Sequence, residues 1–97
     1  MARQLRIYTM KDGRLADWVS LWTEQVAPLR RRSGFEVTGY RVPDKEQFVW
    51  ILDRPGTAEE FKAADDEYYA QPEHAPLAAK GNEWVDNAQS SFLEPVE

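Results

Sequence analysis

The residues able to do chemistry are few, and their scarcity narrows the possibilities. The chain holds one histidine, His74, and no cysteine. Without cysteine there is no disulfide, no thiolate nucleophile and no thiolate-held metal. One histidine excludes a two-histidine metal site within the chain; a carboxylate-plus-His74 site stays open but has no supporting spacing. Neither a metal nor a bound cofactor is expected. His74 has the intrinsic pKa to move a proton near neutral pH. It lies in an interrupted helical stretch after Pro72, where the plainer reading is a half-exposed polar residue on a surface turn. There is no Gly-x-Ser-x-Gly elbow for a Ser–His–Asp hydrolase and no glycine-rich phosphate loop.

Arg6 is the second candidate. It shares one face of the first strand with Tyr8, and an arginine cannot sit unpaired in a core. It must meet a carboxylate, reach solvent, or face a ligand, where it would steady a developing oxyanion. Aromatic residues are plentiful, with four tryptophans and four tyrosines. Tyr8, Tyr40, Trp22, Trp50 and Trp84 form a candidate binding set for a small, flat, hydrophobic molecule. Trp18 and Trp22, four apart on one helical face, read first as core and second as the wall of a pocket beneath that helix. Asp65-Asp66-Glu67 reads as a solvated acidic face, because consecutive helical residues spread around the axis and cannot converge on one ion. Arg30-Arg31-Arg32 reads as solvated cations near a helix C-terminus.

The charge balance excludes other classes. Twelve basic against 17 acidic residues give a net charge of −5, which opposes phosphate contact, so no nucleic-acid partner is expected. No apolar run approaches the roughly 20 residues of a membrane span, so no membrane partner is expected either. Met1-Ala2-Arg3-Gln4 leads into a strand pattern without the apolar core of a signal peptide, and a cytoplasmic location is expected.

The elements that must position these residues follow from periodicity. The span 1–97 reads as one domain. Arg3 to Met10 alternates as a strand, with Leu5, Ile7 and Thr9 on one face and Arg6, Tyr8 and Met10 on the other. Leu15, Trp18, Val19, Trp22, Val26 and Leu29 recur at steps of three and four and predict a helix from Arg14 to about Arg31, kinked or ended near Pro28. Phe35–Val42 and Gln47–Asp53 read as a hairpin, with Gly39 marking a bulge or a close backbone approach. Phe48 to Leu52 is apolar at every position, as in a strand covered on both faces. Thr57 and Glu60 match a capping box that starts a helix over Ala58–Ala70. A short helical piece is predicted to restart at Pro72 and end by Ala79, with Gly81-Asn82 as a loop and Asn87–Val96 as the last strand.

The order is strand, helix, strand, strand, helix, strand. The fold class is α+β, a ferredoxin-like βαββαβ unit with a four-stranded antiparallel sheet and its helices on one face. Strands one and three then lie in the middle, and the sheet's second face is open. Bulky apolar residues on that face would form a patch that soluble monomers rarely expose. The expected partner is therefore a second copy packed sheet to sheet about a two-fold axis, a dimeric α/β barrel.

The stretch from Gln4 through Arg6 and Tyr8 to the turn at Gly13 resembles the opening of the NIPSNAP-like group of dimeric α/β barrel proteins. So do Val37-Thr38-Gly39-Tyr40, Phe48 to Leu52, Tyr69 to His74, and Phe92-Leu93-Glu94-Pro95. Gln4 replaces the acidic residue common at its place, and Trp50 stands where the group often has His. The resemblance implies the dimeric barrel fold, with pockets between sheet and helices. It also implies a superfamily of cofactor-independent monooxygenases, lactone isomerases, haem-handling enzymes and proteins of no assigned role, among which the fold does not choose. One expectation is a non-catalytic small-molecule-binding or interaction module, with a filled core, Arg6 paired to a carboxylate and His74 in solvent. The alternative is a cofactor-independent enzyme of monooxygenase or isomerase type acting on a small hydrophobic or aromatic metabolite. There His74 would move the proton and Arg6 would hold the oxyanion, beside an enclosed cavity near Tyr8, Trp50 and Trp84.

Overall fold

Strict alternation sets the first element. β1 (Ala2–Met10) turns Gln4, Arg6, Tyr8 and Met10 toward the helices and Leu5, Ile7 and Thr9 away from them. The computed structural model describes all residues, Met1–Glu97. β2 (Glu36–Val42) and β3 (Gln47–Arg54) form the expected hairpin, and β4 (Val85–Leu93) closes a four-stranded antiparallel sheet of order β2-β3-β1-β4. Central β3 alternates buried Phe48, Trp50 and Leu52 with half-buried Val49 and Ile51. The double-sided apolar pattern thus reports two real faces. One carries the core; the other presents Leu5, Ile7, Val49 and Ile51, which stand side by side in the β1–β3 register.

The first long helix is not a uniform coil. α1 (Leu15–Leu21) passes through one π-helical turn (Trp22–Val26), where the Ala27 N–H bonds back to the Trp22 carbonyl, into α2 (Ala27–Arg32). Pro28 does not end the helix; it sits in the first turn of α2, where its missing N–H costs little. The wider turn has a consequence for packing. On a pure α-helix, residues spaced by four drift about 40° per step. The π turn reduces that drift, so Trp18, Trp22, Val26 and Arg30 all stay buried.

α3 (Ala58–Ala70) begins at the predicted capping box, with the Thr57 hydroxyl accepting from the Glu60 N–H and the Glu60 carboxylate accepting from the Thr57 N–H. A 3₁₀ turn (Pro72–His74) leads into α4 (Ala75–Trp84). The predicted loop at Gly81-Asn82 is instead helix interior. A Cβ at Gly81 would meet the Trp18 ring at 3.9 Å, an ordinary contact, so the position tolerates helix despite glycine's penalty of about 1 kcal/mol. β4 therefore starts directly at Val85 rather than Asn87, and its pairing with β1 ends at Leu93, before Pro95. Gly39 is a close approach and not a bulge: the β2–β3 register runs unbroken, and an added Cβ would lie 2.6 Å from Phe48 Cζ and 2.9 Å from Trp22 Cη2. No helix is long and apolar enough to cross a membrane.

Candidate functional site

Between the sheet and the helices lies a cavity of about 360 Å³. Tyr8 of β1, Trp50 of β3 and Ala88 of β4 form its floor, Trp18, Val26 and Arg30 one wall, and Tyr68, Tyr69, His74 and Leu77 the other. The small Ala88 lies on the edge strand, and Ala88 and Tyr8 also border an adjoining hollow of about 290 Å³ that reaches Gln4, Arg6, Asp65 and Ser90. The rings meet edge to face: Tyr8 on Trp50 at 6.0 Å, Trp22 on Trp50 at 5.8 Å, and His74 on both Tyr68 and Tyr69 at 4.8 Å. The aromatic frame is therefore fixed by its own packing.

The polar core of the site is a triad. Asp65 receives Arg30 Nη1 at 2.7 Å and Arg6 Nη2 at 3.1 Å. Arg6 also donates to Gln4 Oε1 at 2.6 Å and to the Tyr69 hydroxyl at 2.8 Å. Arg30 is 1% exposed and stacks on the Tyr68 ring, its guanidinium carbon 3.7 Å from the ring centre. Burial disfavours charge on Arg6, but Tyr69, Tyr8 and Asp65 together outweigh it, and the guanidinium is held more firmly protonated than usual. Burial pushes the Tyr8 phenol up against the pull of Arg6, and pushes Tyr68 up to about 12. Both phenols are neutral donors at physiological pH. Burial and then the Arg30 charge hold His74 below its usual range, so its imidazole is neutral there.

Several donors around the cavity have no partner within the chain: Trp18 Nε1, Trp50 Nε1, Arg30 Nε and the Tyr68 hydroxyl. A buried donor left unsatisfied costs about 1–3 kcal/mol, which makes such a set unusual around an apolar space. No group of three or more His, Asp or Glu converges in a metal-holding arrangement.

The structure gathers part of the sequence-derived set. His74, Tyr8 and Trp50 line the cavity, and Arg6 lines the adjoining hollow. Trp22 is core, packed on Phe48 and Trp50. Trp84 lies outside the lining, beneath the cations of Arg14 and Lys80. Tyr40 stands on the opposite face, paired with Val49 in register and 55% exposed, so it faces away from the cavity. Two readings of charge runs are corrected. Arg30 is not a solvated cation, because the turn preceding it directs it inward; only Arg31 and Arg32 are exposed. Asp65 leaves the solvated acidic face, because it follows Phe61 by four and precedes Tyr68 by three on the buried side of α3. The missed signal was spacing: Trp22, Val26 and Arg30 fall at steps of four. Arg6 pairs with a carboxylate as the binding-module reading expects, while the cavity it expects to be filled is open and His74 is half-buried.

An uncharacterised NIPSNAP domain protein from Burkholderia xenovorans superposes with a TM-score of 0.86 at 12% identity, covering 99% of this chain and 95% of that one. A NIPSNAP family protein from Agrobacterium tumefaciens superposes at 0.82 with 9% identity, covering 99% and 93%. SnoaB, a cofactor-independent oxygenase from Streptomyces nogalater, superposes at 0.73 with 21% identity, covering 99% and 93%. At such identities these likenesses establish the shared ferredoxin-like α+β fold. No curated protein matches the sequence. The NIPSNAP sequence profile matches residues 3–97, nearly the whole chain, and the chain belongs to the NIPSNAP family.

Proposed function

We propose that the protein is a small-molecule-binding module whose ligand, flat and hydrophobic with acceptor atoms, occupies the cavity between sheet and helices. One observation carries this reading: a cavity of drug-fragment size walled by fixed aromatic rings and lined by residues with unpartnered donors. Calorimetric titration with 2-naphthol tests it. Binding by the natural protein, lost in a folded Ala88→Trp variant whose indole fills the cavity, supports the reading. Absence of binding at millimolar concentration contradicts it.

A second reading rests on His74, a neutral imidazole at the cavity wall. Such a group is a competent base for an acidic phenol or carbon, and the donors beside it suit the resulting oxyanion. The solved neighbours include a cofactor-independent oxygenase, which keeps this reading in view. Turnover of a phenolic substrate, abolished in a folded His74→Ala variant, would favour it over simple binding.

We propose also that the protein is a homodimer through the outer sheet face. Leu5, Ile7, Val49 and Ile51 form a contiguous apolar centre there, with Tyr40 and Leu93 exposed near its edges. A chain of this length gains core by covering that face with its own copy. Sedimentation at micromolar concentration is expected to show a dimer that Ile51→Lys converts to monomer.

A further inference from the structure

The binding reading does not say what charge the ligand carries, but the triad does. Two buried guanidinium groups, Arg6 and Arg30, share one carboxylate, Asp65. Asp66 and Glu67 on the same helix are exposed and make no bond to either arginine. The remaining contacts of Arg6, Gln4 and Tyr69, are neutral, and Arg30 otherwise meets only rings. The site therefore holds two positive charges against one negative. A buried charge without a counter-charge is costly, and the cation–π stacking of Arg30 on Tyr68 offsets only part of that cost.

We propose that the cavity takes a flat organic monoanion, an aromatic or similarly planar carboxylate, whose charge completes the balance with Arg30. The inference rests on the cavity being a ligand site and adds the class of ligand. The Arg30, Trp18 and Trp50 side chains border the cavity, and their Arg30 Nε–H and indole N–H groups are buried without a partner. A carboxylate accepts from several donors in one plane, and arginine matches it in geometry. One negative charge neutralises the cluster. A phosphate dianion would leave an excess beside Asp65, and a cation would meet Arg30 directly. The chain's net charge of −5 repels anions in general, so affinity for an anion must come from this site.

The test compares three probes on one ring system by calorimetry with the natural protein: 1-naphthoate, 1-naphthamide and 1-naphthylmethylammonium. Hydrogen bonds to a charged partner exceed neutral ones enough that naphthoate is expected to bind at least about ten-fold tighter than the amide, with no binding of the ammonium. Arg30→Gln is expected to abolish that preference while retaining weak amide binding. The natural-protein comparison decides the charge preference even if this variant does not fold. Equal affinity for naphthoate and naphthamide would overturn the anion assignment and leave the cavity reading standing. Failure of all three to bind would overturn both. A folded Arg30→Gln protein that kept the ten-fold preference would remove Arg30 from the proposed role.

Discussion

Replacing Asp65 with asparagine removes one charge, keeps the shape, and strands both buried arginines. The size of the effect follows from the geometry. At an effective dielectric of about 20, one ion pair roughly 3 Å apart is worth about 5 kcal/mol. Asp65 makes two such contacts, at 2.7 and 3.1 Å. The desolvation of two guanidinium groups and their mutual repulsion cancel most of that gain. The Asp65 side chain also retains 19% exposure, which weakens the field. Breaking a buried pair usually costs 3–5 kcal/mol, so Asp65→Asn is expected near the lower end, about 3 kcal/mol. In a domain of this size that lowers the melting temperature by about 12–24 °C. Urea unfolding followed by tryptophan fluorescence and by circular dichroism measures it. Asp66→Asn, one residue away and exposed, is the control and is expected to change stability by less than about 0.5 kcal/mol. If the two substitutions proved equal, the triad would not exist as described.

Other expectations follow from the packing and the titrating groups. Gly39→Ala places a methyl group against Phe48 and Trp22, and is expected to cost about 1–3 kcal/mol in urea unfolding; a neutral or stabilising result would mean that those rings move aside freely. His74 is the chain's one histidine, so its imidazole signal titrates alone in a proton NMR spectrum. Its folded-state pKa lies below the ordinary 6.5, so the unfolded chain takes up a proton first as pH falls. Stability is therefore unaffected by His74 above the unfolded 6.5 and is partly lost as pH falls from there through the lower folded-state pKa. A midpoint at or above 6.5 would contradict the burial of His74 in the cavity wall beside Arg30.

Much of the architecture is legible in local patterns, for physical reasons that particular residues show. The alternation in β1, the doubly apolar β3 and the Thr57–Glu60 box each specify an element through contacts within a few residues, or through the requirement that apolar faces be covered. The boundary between α4 and β4 was not legible, because Gly81-Asn82 has turn chemistry locally yet lies inside α4. The site was partly legible. Arg6 must find a carboxylate, but which one depends on how α3 docks over β1. Arg30 was hidden twice, by two exposed arginines beside it and by a π-helical turn that changes the period. Tyr40 has the composition of a pocket residue, but strand parity sends it to the other face.

The cavity beneath α3 and α4 is proposed to receive a flat carboxylate. The four tryptophan indole N–H groups report on it directly, because Trp18 and Trp50 line the cavity and Trp84 does not. A ¹⁵N-correlated NMR titration with 1-naphthoate is predicted to shift the Trp18 and Trp50 indole signals strongly and saturably, leaving Trp84 nearly unmoved. Uniform small shifts at all four tryptophans, or saturation confined to Trp84, would contradict it.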